Sequence, residues 1–275
     1  MGHLRESYEI SERRASRVVC MHRSTARYVG RPDNSAELRT RLRQMAVDYP
    51  RYGYRMMTDK IRFQGWLVNH KRVYRVYSEE ELQLPKRRKK RLRSAQRQPM
   101  IEATSVNQRW SMDFMTDTLA SGRRFRTFNV LDDHTRECLA IDVAVSITGD
   151  RVTRVLDRIA AERGLPESIL MDNGPEFTGR ALDRWASING VRLQFIQPGK
   201  PNQNAFVESF NDKFRDECLN VNWFGDLWDA KASIDAWRTE YNHERPHSSI
   251  GRVPPAAYAA RRLREEESVT FKLDQ

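Results

Sequence analysis

The sequence predicts an α/β fold, a mixed five-stranded sheet with flanking helices, preceded by an all-α region that carries most of the positive charge. Three observations lead there. Strand and helix patterns after residue 105 follow the order β-β-β-α-β-α-β-α, which builds a mixed sheet with helices around it. Before residue 85 only helical patterns occur. Charge divides at about the same place: residues 1–100 carry 25 Lys and Arg against 10 Asp and Glu, the remainder 23 against 27. A basic helical part joined to a mildly acidic α/β part separates polyanion binding from chemistry.

The helical part resolves into short pieces. Ser11 suits an N-cap ahead of Glu12, residues 11–29 read as two short helices, and Ser24 is placed to start the second. Leu38, Leu42, Met45 and Ala46 keep helical spacing across residues 36–48, and Pro50 ends that helix. A helix over residues 54–63, a turn at Gly65 and a helix capped by Asn69 and running to about Leu82 together have the form of a helix-turn-helix over residues 36–84. Lys71, Arg72 and Arg75 on the last helix are its DNA-contact candidates. Residues 85–104 form a linker. Its run of Lys86, Arg87, Arg88, Lys89, Lys90 and Arg91 lacks apolar periodicity and suits DNA phosphates, a contact blind to sequence and sensitive to salt.

Each element of the α/β part has its own signal. Residues 110–115 alternate, with Trp110, Met112 and Phe114 on one face and Asp113 on the other. Residues 125–131 and 138–145 are the next strands, joined by a turn holding Asp132, Asp133, His134 and Arg136. Val152, Val155, Leu156, Ile159 and Ala160 define an amphipathic helix that ends at Gly164. Residues 168–171 form a short buried strand ending at Asp172. Thr178 is expected to cap a helix bearing Leu182, Trp185 and Ala186, and residues 191–196 give the fifth strand. A loop with Pro198, Gly199 and Pro201 leads into a helix beginning at Asn202 or Gln203. The core is taken as residues 105–262, with a tail at 263–275.

Three acids stand out on this scaffold. Asp113 lies in the first strand and Asp172 at the end of the fourth. Glu208 lies on the helix that follows, with 35 residues between it and Asp172. At about 100° per residue, Asn204, Glu208, Asp212 and Arg215 share one stripe of that helix, with Phe206, Phe210 and Phe214 opposite as its anchor. Carboxylates are hard ligands suited to Mg2+, and two ions about 3.5–4 Å apart can assist phosphodiester chemistry. Spacing alone leaves open that these are ordinary surface acids. Lys200, Asn204 and Arg215 are further DNA-contact candidates, with a pair to Asp212 as the alternative for Arg215. Asp117, Asp132 and Asp133 are expected in turns and loops. His134, His243 and His247 are expected in structural or DNA-contact roles.

The segments around these acids, Trp110-Ser111-Met112-Asp113-Phe114, Met171-Asp172-Asn173-Gly174-Pro175-Glu176-Phe177 and the stretch from Gln197 to Asn211, resemble the integrase catalytic core of DDE transposases. The resemblance is to the second-frame transposases of bacterial insertion sequences of the IS-three family. Tyr241-Asn242-His243-Glu244-Arg245-Pro246-His247, with Pro254-Pro255-Ala256, is similar to the C-terminal signature of that family; Ile250 departs from its usual Leu. The likeness spans nearly the whole chain. It implies a ribonuclease H-like core, Asp113, Asp172 and Glu208 as catalytic metal ligands, and two Mg2+ ions with Mn2+ able to substitute. It also implies DNA cleavage and strand transfer at terminal inverted repeats and target DNA, a homo-oligomer on DNA, and fusion to an upstream-frame product. Two other readings are an end-binding repressor without catalysis and a ribonuclease H-type nuclease.

Composition removes other classes. At 39% hydrophobic and 31% charged residues the chain reads as globular. No apolar run approaches a membrane span, and the Arg-rich start is unlike a signal peptide. Cys20, Cys138 and Cys218 are widely spaced, against a disulfide framework or zinc site and in keeping with a reducing cytosol, which the resemblance implies is a bacterial cytoplasm.

Overall fold

The computed structural model describes residues 2–28, 35–85, 102–197 and 204–273. The basic run Lys86, Arg87, Arg88, Lys89, Lys90 and Arg91 lies outside these residues, as do Lys200, Asn202 and Gln203. The chain divides into two compact units, residues 1–41 and 42–275. The first holds α1 (Gly2–Ser7), α2 (Glu12–Val18), α3 (Arg23–Ala26) and the start of α4 (Ala36–Asp48). Ser11 caps α2 by accepting from Arg14 N. His22, rather than Ser24, caps α3, because its Nδ1 accepts from Ser24 N. Arg27 closes on Glu12 at 2.7 and 2.8 Å.

The second unit opens with the rest of α4, then α5 (Tyr54–Phe63) and α6 (His70–Glu79). Gly65, at φ 92°, makes the turn between α5 and α6. Asn69 caps α6 through Lys71 N. Val73, Val76 and Tyr77 bury one face of α6, and Lys71, Arg72 and Arg75 stand exposed on the other. The helix stops at Glu79, short of Leu82, where Glu81 takes φ 56°.

The sheet comprises β1 (Arg109–Thr118), β2 (Arg124–Asp132), β3 (Cys138–Ala144), β4 (Ser168–Met171) and β5 (Arg192–Phe195), in the order β3-β2-β1-β4-β5. The first three strands are antiparallel, and β4 and β5 run parallel to β1. β1 is longer than the alternation suggests because its pairing with β2 continues to Thr118 opposite Arg124. α7 (Gly149–Arg163) ends at Gly164, φ 81°. α8 (Arg180–Asn189) begins after Gly179 without a side-chain cap. Thr178 does not cap it, since its hydroxyl donates back to Gly174 O at 3.3 Å. Trp110, Met112, Phe128, Val130, Ile169 and Met171 meet α7 and α8 on one face of the sheet.

The other face carries α9 (Ala205–Phe214), a π-helical turn (Arg215–Leu219) and α10 (Leu227–His243). Phe125, Leu131 and Val143 pack there with Phe210, Phe214, Ile234 and Tyr241. Asn242 pins β3, accepting from Cys138 N and donating to Cys138 O, both at 2.9 Å. α11 (Pro255–Leu273) runs through the boundary expected at 262/263. α5 is tied to α10 by Lys60, 1% exposed, which donates to Glu240 at 3.0 Å and Glu244 at 2.9 Å and sits 4.1 Å from the centre of the Tyr49 ring. Among the described residues no helix is long and apolar enough to cross a membrane.

Candidate active site

Strand register assembles the first two acids. β1 and β4 are parallel neighbours, with Ser111 opposite Leu170. Two residues further along each chain stand Asp113 and Asp172. Because successive side chains alternate, Asp113 leaves the face of Trp110 and Met112 and points to the α9 side. Asp172 follows the last residue of β4, where the chain turns. Its carboxylate accepts from Gly174 N at 3.0 Å, and a Cβ at Gly174 would meet that same oxygen at 3.0 Å. Glycine therefore lets the backbone close on the acid. Glu208 is exposed in the first turn of α9, where the helix dipole favours a negative charge.

The electrostatics tie the three together. Burial pushes the Asp113 carboxyl up to about 6, and the charges of Asp172 and Glu208 push in the same direction. Hydrogen bonds from Phe114 N and the Asn211 amide pull it back. Glu208 is also raised, by burial and then by Asp212. Among the described residues no three His, Cys, Asp or Glu side chains stand close enough to enclose a metal ion by themselves. The donor set is nonetheless all carboxylate oxygen, as Mg2+ prefers, and Mg2+ commonly completes its shell with water and phosphate. A cation would offset the burial, and with it the repulsion from Asp172 and Glu208, that raise Asp113, so the donor set suits such an ion.

Sequence reasoning missed two residues here. Asn211 donates to Asp113 Oδ2 at 2.7 Å, and Asn129 donates to Asn211 Oδ1 at 2.7 Å. Asn129 lies directly across the β1–β2 ladder from Asp113 and is fully buried. The two amides hold Asp113 from below, as second partners of metal-binding carboxylates commonly do. A signal existed: at about 100° per residue Asn211 falls between Glu208 and the buried phenylalanine stripe, where a polar side chain needs a partner.

The remaining expectations divide. Asn204 is not on the surface: it is 3% exposed and donates to Met112 O at 3.3 Å, so it anchors α9 to β1 rather than presenting a DNA contact. Asn204 stands at the start of α9, where the helix packs on β1, and this turns it inward from the Glu208 stripe. Arg215 donates to Thr116 O at 3.0 Å. Asp132 accepts from the N–H groups of Asn107, His134 and Thr135, and Asp133 binds Arg109 and Ser111, so both acids serve the turn. Phe210 and Phe214 anchor α9 as expected, whereas Phe206 is half-buried beneath Arg136.

Comparison with known proteins gives the family of the chain. Residues 103–201 and 189–255 match Integrase core domain families, and residues 33–90 match an HTH-like domain. The chain is 46% identical over 262 residues to the Insertion element IS407 uncharacterized 31.7 kDa protein of Burkholderia multivorans, covering 95% of each. It is 45% identical over 256 residues to the Insertion element IS476 uncharacterized 39.2 kDa protein of Xanthomonas euvesicatoria, covering 93% of this chain and 74% of that one. A chain of the simian T-cell lymphotropic virus intasome superposes with a TM-score of 0.51 at 13% identity, over 80% of this chain and 74% of that one, a likeness of fold. With an integrase core behind a helix-turn-helix, and near full-length identity to insertion-element proteins, the chain belongs to the integrase-core family of insertion-sequence transposases.

Proposed function

We propose that the chain cleaves DNA at the ends of an insertion sequence and joins the freed strand to a new phosphodiester, with Asp113, Asp172 and Glu208 as the catalytic residues. The observation that carries this reading is Asp113: a carboxyl raised to about 6 by burial and by Asp172 and Glu208, and held in place by Asn211. The three acids would hold Mg2+, with Mn2+ as substitute. When bound, the ions supply Lewis acidity and lower the pKa of an attacking water. The chain's own residues hold the carboxylates apart and oriented, keep one side of Asp113 dry, and leave Glu208 open to a DNA strand.

Lys71, Arg72 and Arg75 on the exposed face of α6 would contact the terminal inverted repeats. Arg215, on the margin of α9 that bears Glu208, would contact the strand being cut. Target DNA, a second copy of the chain on DNA, an upstream-frame fusion partner and a bacterial cytoplasmic setting complete the reading. Its test is strand transfer on terminal-repeat DNA with Mg2+ or Mn2+. Asp113→Asn, Asp172→Asn and Glu208→Gln should each abolish joining while leaving end binding in place. Near-normal joining by any one of them overturns the assignment. End binding by wild type without cleavage in either metal would favour a repressor.

A further inference from the structure

α9 has two margins. At about 100° per residue, Glu208 and Arg215 lie at one edge of its buried face, and Phe206 and Lys213 at the other. The exposed Ser209 and Asp212 form the crest between them. The first margin belongs to the active site. At the second, cations gather.

Lys213 Nζ folds back along the helix to Ser209 O and Oγ, both at 2.7 Å and both neutral. Arg136, on the β2–β3 turn at φ 63°, lays its guanidinium 3.4 Å from the centre of the Phe206 ring. Its Nη1 is shielded from solvent and has no hydrogen-bond partner among the described residues. His247 joins from beyond α10, with its ring 6.5 Å from that of Tyr241 and a hydrogen bond with Ser249 Oγ. Arg245 is buried behind them, with its Nε and Nη2 donating to Glu217 at 2.7 and 2.5 Å.

The acids within reach are either paired elsewhere or open to solvent. Glu217 is held by Arg245, and Asp212 lies on the crest. Near Arg136, Asp133 is committed to Arg109 and Ser111, Asp132 to backbone N–H groups, and Glu102 is exposed. The surplus of positive charge is visible in the groups themselves. Burial, then Arg245 and Arg136, push Lys213 down to about 8 against the pull of Glu217 and Asp212. Burial, then Lys213, Arg245 and Arg136, push His247 down to about 3, so it is neutral and carries a single ring N–H. Half-buried cations without a counter-ion are costly, and an incoming anion would remove that cost.

We propose that Arg136, Lys213 and His247 form a phosphate site for the DNA backbone, on the margin of α9 away from Glu208. This rests on the reading of the chain as a DNA-acting enzyme. A backbone phosphate offers several oxygens to donors converging from three elements. A helix is about 10–12 Å across with its side chains, so a strand passing over the crest reaches both margins. The protein therefore grips DNA on either side of the helix that bears its third acid.

The test uses the full chain and a fluorescein-labelled duplex of mixed sequence, with binding followed by anisotropy across a salt series. Lys213→Gln should lower the slope of log K against log salt by about 0.9, and hence weaken binding about eightfold at 0.1 M salt. Arg136→Gln should do the same, and Lys213→Arg should keep the wild-type slope. The melting temperature of Lys213→Gln should equal or exceed that of wild type, because a like charge has been removed. Wild-type slopes for both Gln variants overturn the site. A Lys213→Gln protein that melts well below wild type makes Lys213 structural and also overturns it. Unchanged slopes with altered sedimentation would assign the patch to an acidic surface of a second copy, against the proposal. Wild type that shows no salt-dependent duplex binding refutes the underlying reading instead.

Discussion

The two faces of the sheet are built from different chemistry. Under α7 and α8 the buried set is apolar, from Trp110 and Met112 through Leu156 to Trp185. Under α9 and α10 the apolar cluster is threaded by buried amides: Asn129, Asn211 and Asn242. Each of those amides donates a hydrogen bond, yet a bonded polar pair adds only about 1 kcal/mol net and exacts a larger penalty when one partner is lost. The apolar face therefore holds the strands, and the amide face holds their side chains in chosen positions. Asp113 lies on the second.

That contrast can be broken or sharpened by substitutions on each face. The largest effect is expected from Asp113→Asn: strand transfer should fall at least about a thousandfold, about 4 kcal/mol of barrier, with little change in melting temperature. Leu156→Ala, on the apolar face, should cost about 2–5 kcal/mol of stability while leaving the rate per folded molecule unchanged in a chemical-denaturation and activity pair. Asn211→Ala should do both in smaller measure. The rate should fall about 10–100-fold with a raised Mg2+ requirement, and stability should drop by about 1–3 kcal/mol because the Asn129 amide loses its acceptor. Arg192→Ala removes an exposed pair with Glu167 at 3.6 Å and should shift stability by less than about 1 kcal/mol. If Leu156→Ala slows the folded enzyme, or Asn211→Ala melts lower with its rate intact, the division between the faces fails.

What could be read beforehand follows the same line. Local signals carried the fold: the caps at Ser11 and Asn69, the Gly164 stop, and the alternation that puts Asp113 opposite Trp110 in β1. The 35-residue interval pointed to the acids because a strand, a helix and a loop of set size must fit between them. The amide support of Asp113 was legible only in half: helical phase marks Asn211 as a polar side chain in need of a partner, but Asn129 stands 82 residues away in the chain and carries no such mark. Asn204 misled for the opposite reason. Helical phase gave its angle relative to Glu208, and only the packing of α9 on β1 shows that this angle points inward.

Lys60, itself 1% exposed, joins the helix-turn-helix to the core by pairing with the mostly buried Glu240 and the half-exposed Glu244, 180 and 184 residues away in the chain. Breaking such a pair from one side costs about 3–5 kcal/mol, so α5 does not swing freely on α10. On the proposed function, a DNA-reading helix mounted on that base would work as a gauge: the distance from a recognised sequence to the bond that is cut would become a property of the fold. Lys60→Met should scatter the cut positions on a sequencing gel, whereas a single sharp position would show that the offset is measured elsewhere. Element ends recognised by such a protein would then evolve in sequence more freely than in length.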